Sequence, residues 1–283
     1  MNIPHIVQYQ GSKRKLAAQI LQYMPKKFER LIEPFSGMAS ISIATALEEK
    51  AKSYLINDLN APLVSILKES VENPEHLIAE YKKIWFEQFS YGDNHPQHFY
   101  AVREKFNSGM KTPASLLYLL ARCVKGSVRY GRNGNFNQSP DKRRHGTNPQ
   151  TLEKNLHAIS ALLKGKTKFL SGDYRSVFEM IRPGDLIYLD PPYQGVTNTR
   201  DKRYCSGISF EEFVEALKFL NDRKVNYLVS YDGLCGNKKY GKELPESLGC
   251  KKFLINAGAS AQSTLLGKSN ITYESLYVSR SLL

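Results

Sequence analysis

No stretch of the chain approaches the roughly 18 to 20 consecutive apolar residues that a membrane-spanning helix needs, and the mean hydropathy is −0.42. The opening residues, MNIPHIVQYQGSKRK, have no apolar core of the kind a secretory signal carries. The four cysteines, Cys123, Cys205, Cys235 and Cys250, lie far apart with no CxxC, which excludes a dithiol redox motif and a cysteine zinc site. Such thiols suit a reducing cytoplasm. Of the six histidines only His95 and His98 are close, with no HExxH or carboxylate-rich context, so no metal is expected. A dinucleotide GxGxxG is missing. The P-loop is excluded too, because Gly165-Lys166-Thr167 and Gly267-Lys268-Ser269 have Ser160 and Gln262 where the leading glycine is required.

Acidic residues are also few. Across 283 residues there are 27 Asp and Glu against 40 Lys and Arg, a formal charge of +13. A small neutral substrate needs no such excess, whereas a protein lying along phosphates gains affinity and on-rate from it. Nucleic acid is therefore the first partner to consider. With 41% apolar and 24% charged residues the composition is that of a globular protein.

Periodicity divides the chain into an α/β part and a helical part. Leu31 to Phe35 and Ser53 to Asn57 read as strands, followed by helices at Ala39 to Glu49 and Pro62 to Glu72. From about residue 75 to 165 the strand signal disappears, and helical patterns occupy Glu75 to Phe89, Gln97 to Asn107, Pro113 to Val124 and Pro149 to Lys164. Strands then return at Thr167 to Ser171, Asp185 to Leu189 and Val225 to Ser230, with a helix at Phe210 to Leu220. Lys251 to Ala257 and Thr272 to Arg280 read as an antiparallel edge pair. Strands alternating with helices predict a doubly wound parallel sheet interrupted by a mainly helical insertion.

Within the insertion, Arg122 to Gly146 holds seven basic residues against one acid, Asp141. Its four glycines and three asparagines make it mostly loop. Arg129, Arg132, Lys142, Arg143, Arg144 and Lys125 supply phosphate contacts, Tyr130 and Phe136 stacking surfaces, and Asn133, Asn135 and Asn137 base-edge donors. A solvated basic loop is the plainer alternative, and the interleaving favours nucleic acid.

The most specific string is Asp190-Pro191-Pro192-Tyr193, after the apolar strand Asp185 to Leu189. In an open α/β sheet, ligands bind beyond the carboxyl ends of strands. Two prolines remove two backbone donors and hold the local carbonyls outward, so an acid, a rigid carbonyl and a ring can accept an exocyclic amine and stack on its base. The second string, Glu33-Pro34-Phe35-Ser36-Gly37-Met38-Ala39-Ser40, is a strand running into a small-residue turn and a helix, where backbone amides can approach a ligand. Asp58 in Asn57-Asp58-Leu59-Asn60 ends the next strand, where an acid can hold ribose hydroxyls. Gln8-Tyr9-Gln10-Gly11-Ser12-Lys13 places a glycine turn and a lysine ahead of a helix near Leu16. Tyr231, in Ser230-Tyr231-Asp232-Gly233, either shapes a base pocket or belongs to an ordinary strand-to-loop turn.

Together these strings resemble the Dam-type (D12 class, alpha-group) adenine-specific DNA methyltransferases over nearly the whole chain. The resemblance implies a Rossmann-like methyltransferase sheet, with residues 1–65 and 166–283 as the catalytic domain and 66–165 as an inserted target-recognition domain. It also implies that Tyr9, Lys13, Pro34, Phe35, Gly37, Asp58, Asp173 (in Ser171-Gly172-Asp173-Tyr174) and Asp190 contact S-adenosylmethionine. Ala39 stands where the family turn has its second glycine. Asp190, Pro191, Pro192 and Tyr193 are the implied catalytic residues, acting on the N6 amine of an adenine flipped out of double-stranded DNA. A cytoplasmic monomer in a bacterial or phage-infected cell is expected, and a restriction endonuclease sharing the target site is an allowed partner. Cytosine-N4 methylation and a non-catalytic DNA-binding role are the alternatives; a leading Asp in the tetrapeptide favours adenine.

Overall fold

The computed structural model describes residues 1–124, 126–192, 208–235, 238–259 and 271–283. In chain order the elements are α1 (Ala17–Ile20), β1 (Phe28–Glu33), α2 (Ser40–Leu47), β2 (Ala51–Asn57), α3 (Ala61–Glu72), α4 (Pro74–Glu87), α5 (His95–Asn107), α6 (Pro113–Arg122), α7 (Pro149–Leu163), β3 (Thr167–Leu170), α8 (Tyr174–Phe178), β4 (Asp185–Leu189), α9 (Phe210–Asp222), β5 (Asn226–Cys235), β6 (Lys238–Tyr240), β7 (Lys251–Ala259) and β8 (Ile271–Val278). Helices α3 to α7 each carry proline in the first turn, where the missing N–H costs nothing and the fixed φ is already helical. A reciprocal Ser209–Glu212 capping box starts α9.

The strands lie in the order β3-β2-β1-β4-β5-β8-β7, with β6 paired to β5. Pairs from β3 across to β5 are parallel, and β5–β8 and β8–β7 are antiparallel. This is the expected doubly wound sheet with its antiparallel edge. Every residue of β4 is buried, as a central parallel strand requires. The direction of winding reverses between β1 and β4, which opens a crevice at their carboxyl ends.

Alternation along the strands feeds two cores, one on each face. Leu31, Tyr54 and Ile56 pack with α2 and the helices of the insertion, whereas Ile32, Leu55, Ile187 and Leu189 pack with α8 and α9. The helical segment therefore shares a core with the sheet. It returns along α7, which packs on α2 and α3. One strand is longer than expected and two elements went unread in the sequence. Strand β5 runs on to Cys235 through an irregularity between Ser230 and Gly233, β6 is only three residues long, and the one-turn helix α8 offers too few residues to show a period. The helix expected near Leu16 is a 3-10 turn at Lys13–Lys15 followed by the short α1. Tyr231 falls within β5, buried and stacked on Phe213 at 5.0 Å, so it belongs to the core.

Asn57, at the end of β2, ties the crevice together. It is 1% exposed, and its Nδ2 donates to the carbonyls of Pro34 after β1 (2.9 Å) and Gly172 after β3 (3.0 Å). Asn57→Ala strands two carbonyls, and chemical denaturation is expected to show a loss of about 3 kcal/mol in unfolding free energy.

Candidate active site and nucleic-acid surface

The crevice holds a cavity of about 520 Å³. All eight residues expected to contact a cofactor line it: Tyr9, Lys13, Pro34, Phe35, Gly37, Asp58, Asp173 and Asp190, together with Pro191 and Pro192 of the tetrapeptide. Tyr193 lies outside the described residues. Residues from five separate segments thus meet at the switch point.

The turn after β1 makes this possible. Gly37 has φ +50°, and a side chain there would meet the Tyr9 ring at 3.4 Å. Ala39 also adopts the left-handed conformation, with φ 51° and ψ 38°, a region that a glycine enters more readily. Such a conformation costs a non-glycine residue on the order of 1 kcal/mol. Asp58 holds the turn through one oxygen, which accepts from Gly37 N at 2.9 Å, while its other oxygen accepts from Asn60 N at 2.9 Å. Burial pushes its pKa up. Asp173 caps α8 and forms a two-point ion pair with Arg175 (Nε 2.9 Å, Nη2 2.8 Å), which holds its carboxyl below the ordinary range.

The charge at the centre is concentrated. Lys13, 3% exposed, places Nζ 3.0 Å from Asp190 Oδ1. Burial raises the Asp190 carboxyl to about 6 despite the lysine, with Glu274 pushing in the same direction. Glu33, 2% exposed, accepts from Ser42 N at 2.8 Å and from the Ser42 hydroxyl. Burial raises it to about 7, and the negative charge of Asp190 adds to the effect.

Beside the cavity, Arg129 to Asn137 form a tight hairpin. Tyr130 bridges to Phe136, Gly131 N donates to Asn135 O (2.8 Å), and Asn133 Oδ1 accepts from Asn135 N at the turn. The hairpin is clamped to the end of α5, where Asn107 both donates to Phe136 O (3.1 Å) and accepts from Phe136 N (2.8 Å). Tyr130 OH reaches Asn60 Oδ1 at 3.2 Å, and Gln10 N donates to Gly126 O at 2.9 Å, so the loop touches two segments that line the cavity. Arg132, Asn133, Asn137, Lys142, Arg143 and Arg144 are exposed, while Arg129, Tyr130 and Asn135 are half-buried. Lys125 lies outside the described residues.

One reading of this loop is corrected, and one of its cations has a structural place. Phe136 is 1% exposed, packed on Phe106, and offers no stacking surface. Arg122 is fully buried, donating to Asp141 O and to His95 Nδ1, both at 2.8 Å, so this cation is structural. In each case an aromatic or aliphatic stem gains more by entering the core than the sequence context disclosed.

The chain matches the model of the D12 class N6 adenine-specific DNA methyltransferases over residues 9–257. It belongs to this family. A DNA N-6-adenine-methyltransferase of Escherichia phage P1 is 28% identical over 98% of the chain, and the chain spans 33% of that protein's length. A type II methyltransferase from Lactococcus lactis subsp. cremoris is 25% identical over 95% of the chain and 93% of its own length. A DNA adenine methylase from Serratia marcescens is 25% identical over 68% of each.

Several residues of the methyltransferase site were not singled out from sequence. Glu33 opens the Glu33–Ser40 turn with no role expected for it, although an acid ending an apolar strand is a usable signal. Glu274 lies in the edge strand β8, and Arg175 and Glu212 stand on helices at the cavity wall. Nothing in their local sequence marks them. Because Glu33 binds its proton more tightly folded than unfolded, the folded methyltransferase takes up protons between about pH 4.5 and 7, and stability falls as pH rises through that window. Glu33→Gln should remove up to about 3 kcal/mol of that decline, read from denaturation midpoints at pH 5 and pH 8.

Proposed function

We propose that this chain transfers the methyl group of S-adenosylmethionine to the exocyclic N6 amine of an adenine flipped out of double-stranded DNA at a specific sequence. The observation that carries this reading is the convergence of Pro191 and all eight expected cofactor contacts, Asp190 among them, on one cavity at the switch point. The basic hairpin against the same crevice supports a polyanionic substrate.

The cavity suits the cofactor chemically. Its volume lies in the range of small-molecule sites, about 300–1,000 Å³. Phe35 and Tyr174 offer ring surface for an adenine, 4.9 Å apart. Asp58 and Asp173 offer acceptors for hydroxyl or ammonium groups, and Ser36 Oγ, buried and lining the cavity, has no hydrogen-bond partner among the described residues. Carboxylates at Asp190 and Glu274 favour a cation between them and the cofactor turn. When bound, S-adenosylmethionine supplies a methyl group activated by a sulfonium whose leaving group is a neutral thioether.

The residues of the chain then perform three tasks. Asp190 and the Pro191 carbonyl accept the two amine hydrogens and draw the nitrogen lone pair out of the ring. With its carboxyl raised to about 6, Asp190 is mostly ionised at neutral pH and is a stronger proton acceptor than an ordinary aspartate. The rigid diproline end of β4 fixes both acceptors, so alignment and electrostatics supply the acceleration. Recognition falls to the helical segment and its hairpin, with Arg132, Asn133 and Asn137 at base edges and Lys142, Arg143 and Arg144 on phosphates. One flipped base needs one active site, which suits a monomer, and a restriction endonuclease reading the same site is the partner this role accommodates.

Incubation with labelled S-adenosylmethionine and unmethylated genomic DNA, followed by nucleoside digestion and base-resolved sequencing, should place label in 6-methyladenine at one short motif. Label in cytosine, or none, would overturn the proposal. Asp190→Asn should fold normally and lose about 10³-fold in kcat, and unchanged turnover would remove Asp190 from the chemistry. Replacing Arg143 and Arg144 together with alanine should weaken DNA binding across all sequences. The slope of log K against log salt should become shallower by about 0.9 per lost phosphate contact, measured by fluorescence anisotropy.

A further inference from the structure

Lys13 is shared between two acids. Its Nζ lies 3.0 Å from Asp190 Oδ1 and 3.2 Å from Glu274 Oε2, and a third direction points to Gly11 O at 3.5 Å. The lysine side chain is 3% exposed, against 19% for Asp190 and 25% for Glu274. Glu274 comes from far along the chain and is delivered by the sheet edge. On β8 it stands opposite Gly233 of β5 and Ile255 of β7, just where the β5–β8 register shifts. A side chain at Gly233 would lie 2.8 Å from the Tyr273 carbonyl, so the bare glycine lets β8 close in beside Glu274.

This arrangement poses a problem that Glu274 solves. On the reading that Asp190 accepts an adenine amine hydrogen, the aspartate must give up the ammonium that now occupies one of its oxygens. A buried cation left without its counter-ion is strongly disfavoured. We propose that Glu274 is a positioning residue that retains the Lys13 ammonium when the target amine replaces it at Asp190. The aspartate then changes partners while the lysine stays paired. The charged groups facing Asp190 are Lys13 from the N-terminal turn, Glu274 from β8 and Glu33 from the end of β1, and only Glu274 offers Lys13 a second carboxylate contact at salt-bridge distance among the described ion pairs.

The test compares wild type with Glu274→Gln, which keeps the shape and removes the charge. In the ligand-free protein, carbon-13 NMR of the Asp190 carboxyl, assigned with Asp190→Asn, should show a midpoint lowered by about half a unit or more in Glu274→Gln, because a repelling charge is gone. In the methylation assay the same variant should lose about tenfold in kcat with KM for DNA nearly unchanged, and the acid limb of its kcat/KM profile should move to lower pH. Glu274→Asp should recover most of both. An unmoved Asp190 midpoint, or wild-type kcat in Glu274→Gln, overturns the proposal. If Glu274→Gln lacks a thermal unfolding transition, Glu274→Asp decides: a wild-type midpoint with restored kcat supports the role, and a wild-type midpoint with kcat still low overturns it. Failure of the wild-type protein to methylate adenine would instead count against the assigned reaction, and the ligand-free titration would still decide the coupling between Glu274 and Asp190.

Discussion

Parallel strands end with their carbonyls and following loops at one edge of the sheet, and a site can form there only where two neighbours send those loops apart. In this chain that happens once, between β1 and β4, where the winding direction reverses. The turn after β1 leads to α2, and Asp190 to Pro192 after β4 line the opposite side of the gap that becomes the cavity. Asn57 keeps the gap from collapsing or widening, since its amide holds the loops after β1 and β3 at fixed separation from β2. Gly37 and Ala39, both left-handed, let the first loop turn sharply enough to leave space for a ligand.

The charge distribution follows two rules at two scales. The surface is strongly basic, and the Arg143–Arg144 end of the loop is exposed, as long-range attraction to phosphates requires. The crevice is the opposite, with Lys13 held between Asp190 and Glu274, and with buried Glu33 near enough to Asp190 to feel its charge. Crowding acids in a buried place raises their proton affinity, which costs stability and, on the proposed reaction, suits a group that accepts a hydrogen from a weakly basic amine. Asp58, also buried at the crevice, is raised in the same direction, whereas Asp173 is held low by its pairing with Arg175.

The helical segment is not an appendage. Its helices share a core with one face of the sheet, and its loop returns to the crevice through Gln10–Gly126 and Tyr130–Asn60. A hairpin fastened at both Asn107 and Asn60 presents its exposed turn from a rigid base, which a loop tethered only at its ends would not. Displacement of the hairpin on a substrate would therefore be felt at the pocket wall.

The sequence by itself determined the parts whose cause is local. Asp185 to Leu189 read as a buried strand because a continuous apolar run has few other homes, and the acid and two prolines after it had to stand at the strand's carboxyl end. The five proline-led helices were legible for the same reason, since proline tolerates a first turn and little else. Only tertiary structure decided which distant residues meet. Glu274 reaches Lys13 because β8 pairs antiparallel with β5 and a side-chain-free Gly233 admits it, a matter of sheet register that no neighbouring residue encodes. Phe136 looked like a stacking residue in a basic loop, and it is buried because the surrounding helices offered its ring a better place than water did. Local geometry is written in a few adjacent residues, whereas partnership across the fold depends on how whole elements pack, and that is settled by the summed burial of all of them.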